Sequence, residues 1–70
     1  MKVDQITIKI TKTKLKIEAV QRDIEEINTD LKYIKHPPIR AVAENMVQAK
    51  KARIENLKDD LVQYQRSLLG

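Results

Sequence analysis

Two consecutive prolines, Pro37 and Pro38, stand almost at the midpoint of this 70-residue chain. Each lacks a backbone N–H, and its ring collides with the preceding turn, so no helix runs through both. The residue ahead of a proline is also pushed out of helical geometry. The chain must therefore break at His36-Pro37-Pro38. Apolar residues recur at helical spacing on either side, and folding back at the break sets the two series face to face. The expected fold is all-α: an antiparallel two-helix coiled-coil hairpin in one domain. Helix 1 is expected over about residues 4–35, the turn over 35–38, and helix 2 over about 38–69.

Before the break, Val3, Ile6, Ile10, Thr13, Ile17, Val20, Ile24, Ile27, Leu31 and Ile34 follow alternating steps of three and four. This is the a/d seam of a coiled coil, and Thr13 is its one polar member. After the break the apolar series is Ile39, Val42, Met46 and Ala49, then Ile54, Leu57, Leu61, Tyr64 and Leu68, with a slip among Lys50, Lys51, Ala52 and Arg53. Such a slip relaxes the supercoil locally. Antiparallel pairing then sets Ile34 against Ile39, Leu31 against Val42, Ile27 against Met46 and Ile24 against Ala49. Beyond the slip, Val20 meets Ile54, Ile17 meets Leu57, Thr13 meets Leu61, Ile10 meets Tyr64 and Ile6 meets Leu68. One turn closes the whole seam, with helices roughly 45 Å long. Pro38 is expected at the first helical position, where its missing N–H costs nothing.

Local preference conflicts with this pattern near the start. Ile6-Thr7-Ile8-Lys9-Ile10 alternates with period two, and seven of the eleven residues from Val3 to Thr13 are β-branched. A short β-hairpin is thus the rival for residues 5–17, although an isolated two-stranded hairpin is marginal in water. In the helical reading Asp4 is the N-cap, with Val3 and Ile8 stapled across it. Lys16 is expected near Asp60 and Asp23 near Arg53 on one flank of the seam. Lys14 falls opposite Lys58 on the other flank, with Lys51 farther along.

A chain this short buries little surface, and below roughly 70 to 80 residues reinforcement by disulfides, metal or association is usual. The sequence has no cysteine and a single histidine, His36. Neither disulfide nor metal is therefore expected, which leaves association. Ile8 and Leu15 on helix 1, with Val47, Val62 and Leu69 on helix 2, fall off the expected seam. They are the candidate self-association face, converting two hairpins into a homodimeric four-helix bundle. The mixed charge, 34% of residues, and the single glycine are coiled-coil composition. No apolar run approaches the roughly 18 to 20 residues of a membrane span, and no secretory h-region follows Lys2, so a cytoplasmic protein with no membrane role is expected.

No catalytic constellation is visible. His36 has no cysteine or nearby serine to activate, and Ser67 lies near the other end of the chain. The carboxylates Asp23, Glu25, Glu26, Asp59 and Asp60 occupy positions where helices keep charge in solvent. No enzyme and no cofactor are expected, and His36, Pro37 and Pro38 read as the hairpin turn. Binding is the remaining class, with an unidentified protein as the first partner besides a second copy.

Nucleic acid is the alternative partner. The net charge is +4 and the pI about 9.5, and five lysines, Lys2, Lys9, Lys12, Lys14 and Lys16, fall in the first sixteen residues. Lys9, Lys12, Lys14 and Lys16, with Lys51 and Lys58, are the candidate partner or phosphate contacts. Only Tyr33 and Tyr64 are aromatic, too few for a stacking platform. The turn residues Tyr33, Lys35, His36 and Arg40 form a second candidate contact at one tip, unless Tyr33 packs on the prolines.

Overall fold

The computed structural model describes residues 3–70, and Lys2 lies outside them. Two helices, α1 (Val3–Leu31) and α2 (Pro37–Leu69), pack antiparallel into a rod measuring 51 × 14 × 12 Å. No helix among the described residues is long and apolar enough to cross a membrane.

α1 is unbroken through the β-branched stretch, so tertiary burial overrides local strand preference. Ile6 and Thr13 are buried on its inner face and Ile10 is half-buried. The hydroxyls of Thr7 and Thr13 donate to the carbonyls of Val3 at 3.0 Å and Lys9 at 2.7 Å. Thr13 is thereby satisfied inside the seam. Asp4 lies within the first turn, not at the cap, because the helix already includes Val3. The expected staple does not form: Val3 and Ile8 are both exposed. Asp4 can still favour the helix through its charge at the positive end of the dipole.

α1 stops at Leu31, short of the expected end, and a five-residue connection, Lys32 to His36, leads to Pro37. The last turn tightens into three-residue bonds: Lys32 N–H to Thr29 O, Tyr33 N–H to Asp30 O and Ile34 N–H to Leu31 O. His36 is the N-cap of α2, extended at φ −79° and ψ 114°, as a residue before proline must be. Pro37, not Pro38 as expected, takes the first helical position, and both prolines fit the first turn, where neither N–H has a helical partner to lose. At the far end Gly70 N–H donates to Arg66 O.

Arg40 closes the turn. Its guanidinium Nη1 donates to Leu31 O at 2.8 Å and Ile34 O at 3.4 Å, and its Nε pairs with Glu44 at 3.2 Å. Leu31 O is one of the last carbonyls of α1 and otherwise receives only the long bond from Ile34 N–H, Ile34 O belongs to the connection, and the cation also suits the negative end of the dipole.

The α1 seam lies where its spacing put it from Ile6 to Ile34, where every expected position is buried or half-buried, but Val3 at its start and Leu68, expected opposite Ile6, are exposed because the hairpin frays at its open end. In the second half of α2, Ile54 and Leu57 are buried and cluster with Val20, flanked by Ile17 and Ile24. The first half of α2 differs from expectation. Ile39, Val42 and Met46, expected to meet α1, are 57%, 60% and 48% exposed, whereas Val47 is 5% exposed. Ala49 is exposed as well, while Ala43 and Lys50 are half-buried.

There is therefore no slip. Ala43, Val47, Lys50, Ile54, Leu57, Leu61 and Tyr64 form one continuous three-four series. The register that sets Val20 against Ile54 carries on to set Ile24 against Lys50, Ile27 against Val47 and Leu31 against Ala43. Moving the inward face by one residue would turn α2 by about 100° in mid-helix. A continuous series avoids this, at the cost of a lysine in the seam. Lys50 accommodates it by keeping its stem inside and bringing Nζ out to Asp23 Oδ2 at 3.4 Å. Asp23 thus pairs with Lys50 instead of Arg53, and no ion pair joins Lys16 to Asp60 among the described residues.

Candidate association surface

A two-helix rod has two broad faces, and the register decides what each carries. Positions one residue ahead of the seam lie on the same face in both helices, because antiparallel helices share that handedness about their common plane. On α1 these positions are Lys9, Lys12, Lys16, Ala19, Asp23, Glu26 and Asp30, spaced three and four apart without a miss and all exposed. On α2 they begin with Ile39, Val42, Met46 and Ala49 and continue with Arg53, Asn56 and Asp60, again all exposed. This face therefore joins an apolar stripe near the turn to a charged stripe that is basic at the open end and acidic near the turn.

The opposite face is polar. Gln21, Gln48, Lys51, Glu55 and Lys58 border a shallow open groove there, floored by Ile24 and Ile54. Lys58 pairs with Glu55 at 4.0 Å. The six candidate lysines consequently do not form one patch. Lys9, Lys12 and Lys16 occupy the first face by register, whereas Lys51 and Lys58 border the groove on the second, and Lys14 falls on that second face by register, away from the groove.

The expected self-association residues also separate. Val47 belongs to the hairpin's own core and is unavailable to a second chain, because the continuous register turns it inward. Ile8 and Leu15, seven apart, line the back of α1 away from α2. Val62 and Leu69 lie on the polar-face side of α2, and all four are exposed. The exposed apolar residues at helical spacing are instead Ile39, Val42 and Met46, which a seam drawn through apolar residues alone takes inward.

At the tip, Tyr33 is 78% exposed and so not covered by the prolines, while Arg40 is engaged with α1. Near the open end Lys9 Nζ lies 5.7 Å from the centroid of the Tyr64 ring, a cation–π contact that ties the helices together. Among the described residues no three histidine, aspartate or glutamate side chains converge into a metal-holding group. A second depression, bordered by Arg22, Glu25, Glu26, Thr29 and Asp30, lies on α1 alone and is open to solvent. Comparisons with protein-family models, curated proteins and solved structures find no match to this chain.

Proposed function

We propose that this protein is a non-enzymatic association module that self-associates, and binds a protein partner, through the face bearing Ile39, Val42 and Met46. The observation carrying this reading is that three large apolar side chains at helical spacing lie outside the hairpin's own core. The surface area points the same way. A compact monomer of 8.1 kDa exposes about 4,500 Å², against 5568 Å² here. The excess, about 1,100 Å², is comparable to the roughly 800 Å² that each partner buries in a standard interface. Two hairpins joined on this face make a four-helix bundle, and the cysteine-free sequence suits a reducing compartment such as the cytoplasm.

Sedimentation equilibrium tests the reading. The chain sediments as a dimer at micromolar concentration, and Val42→Glu with Met46→Glu yields a helical monomer. A wild-type monomer at high micromolar concentration would remove the proposal.

Nucleic-acid binding is the second reading, favoured by the row Lys9, Lys12 and Lys16 on one exposed stripe. Asp23, Glu26 and Asp30 continue that same stripe and would repel a phosphate backbone extended along it. Titration of labelled duplex DNA and RNA at about 50 and 200 mM salt separates the readings, because phosphate contacts weaken steeply over that range.

A further inference from the structure

The charged stripe of α1 is antisymmetric about its centre. Lys16, Lys12 and Lys9 lie three, seven and ten residues before Ala19, and Asp23, Glu26 and Asp30 lie four, seven and eleven after it, a mirror to within one residue, all exposed on the face proposed above for association. A helix face of this kind is complementary to itself when reversed. Turned end for end about Ala19, Lys16 comes opposite Asp23 of the partner subunit, Lys12 opposite Glu26 of the partner subunit, and Lys9 opposite Asp30 of the partner subunit. A parallel copy would instead set like charges against like.

We infer that the occupant of this face is a second copy of the chain, packed antiparallel about a two-fold axis that crosses α1 at Ala19. The inference rests on the association reading and specifies its geometry. The axis makes the interface isologous, so each charge pair occurs twice. Ala19, the smallest side chain of the stripe, sits where the two α1 helices cross and admits close approach. The same rotation seats Ile39, Val42 and Met46 over the last turns of the second helix in the other copy, where this face carries the uncharged Gln63 and Ser67. The acidic end of the face also supplies counter-charges for the lysines without a polyanion, beside the contacts that two of these residues keep within their own chain, Asp23 with Lys50 and Lys9 with Tyr64.

The cysteine-free sequence makes the test clean. Under mild oxidation Ala19→Cys forms a covalent dimer, since two residues on a two-fold axis approach within disulfide reach. Lys9→Cys and Asp30→Cys cross-link when mixed, and neither does so alone. Lys9→Glu with Lys12→Glu weakens the dimer at least about tenfold, and adding Glu26→Lys and Asp30→Lys restores it, because the antisymmetry returns with reversed sign. A dimer that cross-links through Lys9→Cys alone, or fails to do so at Ala19→Cys, overturns this geometry and leaves the association reading standing. A wild-type monomer in sedimentation removes both. If Lys9→Glu with Lys12→Glu leaves the dimer intact but abolishes binding to a duplex RNA probe at about 50 mM salt, the lysines serve phosphate and the inference falls.

Discussion

Lys50 reaches Asp23 across the hairpin, Nζ to Oδ2 at 3.4 Å, from a position inside the apolar seam. Among the described residues it is the one ion pair that joins α1 to α2. An exposed pair of this kind contributes little, about 0.2–1 kcal/mol, and a charged residue in a coiled-coil seam lowers stability while specifying register. Lys50→Leu is therefore expected to stabilise the hairpin by about 1 kcal/mol in urea unfolding followed by circular dichroism. A loss of stability on this substitution would show that position 50 does not face α1.

Arg40 holds the turn by satisfying the carbonyls of Leu31 and Ile34. Arg40→Ala should cost about 1 kcal/mol, the net worth of a charge-assisted bond at a half-exposed site. The effect should be local. Hydrogen exchange is expected to quicken at the amides of Tyr33 and Ile34 before it changes at Val20, and uniform acceleration along α1 would argue against a capping role.

Thr13 is the buried polar side chain of the seam, its hydroxyl turned back to Lys9 O. Thr13→Val removes the hydroxyl, leaves the carbonyl with its helical partner, and keeps the β-branched shape. Thermal unfolding should show no loss, or a gain of about 1 kcal/mol. A loss above about 1 kcal/mol would mean that the hydroxyl has a partner beyond its own helix.

The break at the prolines, the all-helical character and the α1 seam were legible in the spacing of apolar residues. So was the half of α2 from Ile54 to Tyr64, where hydrophobicity and inward direction coincide. They part company at Lys50. A seam defined by apolar residues alone cannot pass through a lysine, so the sequence reading shifted by one position and drew Ile39, Val42 and Met46 into a core they do not enter. That one shift also moved Val47 onto the outer surface and concealed the exposed apolar stripe. Arg40 was missed for a related reason. Its partners are backbone carbonyls freed by the early end of α1, and no side-chain pattern announces them. The antisymmetric charges of α1 were present in the sequence, but only the continuous register shows that they share a face with the apolar stripe.

The neighbours Met46 and Val47 are decisive, because the continuous register puts Val47 inside and Met46 outside, and a slipped register would exchange them. Urea unfolding of Met46→Ala and Val47→Ala, each at several protein concentrations, reads both. Val47→Ala should lose about 2 kcal/mol at every concentration, as expected for two buried methyl groups and the space they leave. Met46→Ala should cost little when dilute and should diminish the rise in stability with concentration that the wild type shows as a dimer. The opposite ranking, with Met46→Ala the more damaging at low concentration, would put Met46 in the seam and contradict the register from which the association surface follows.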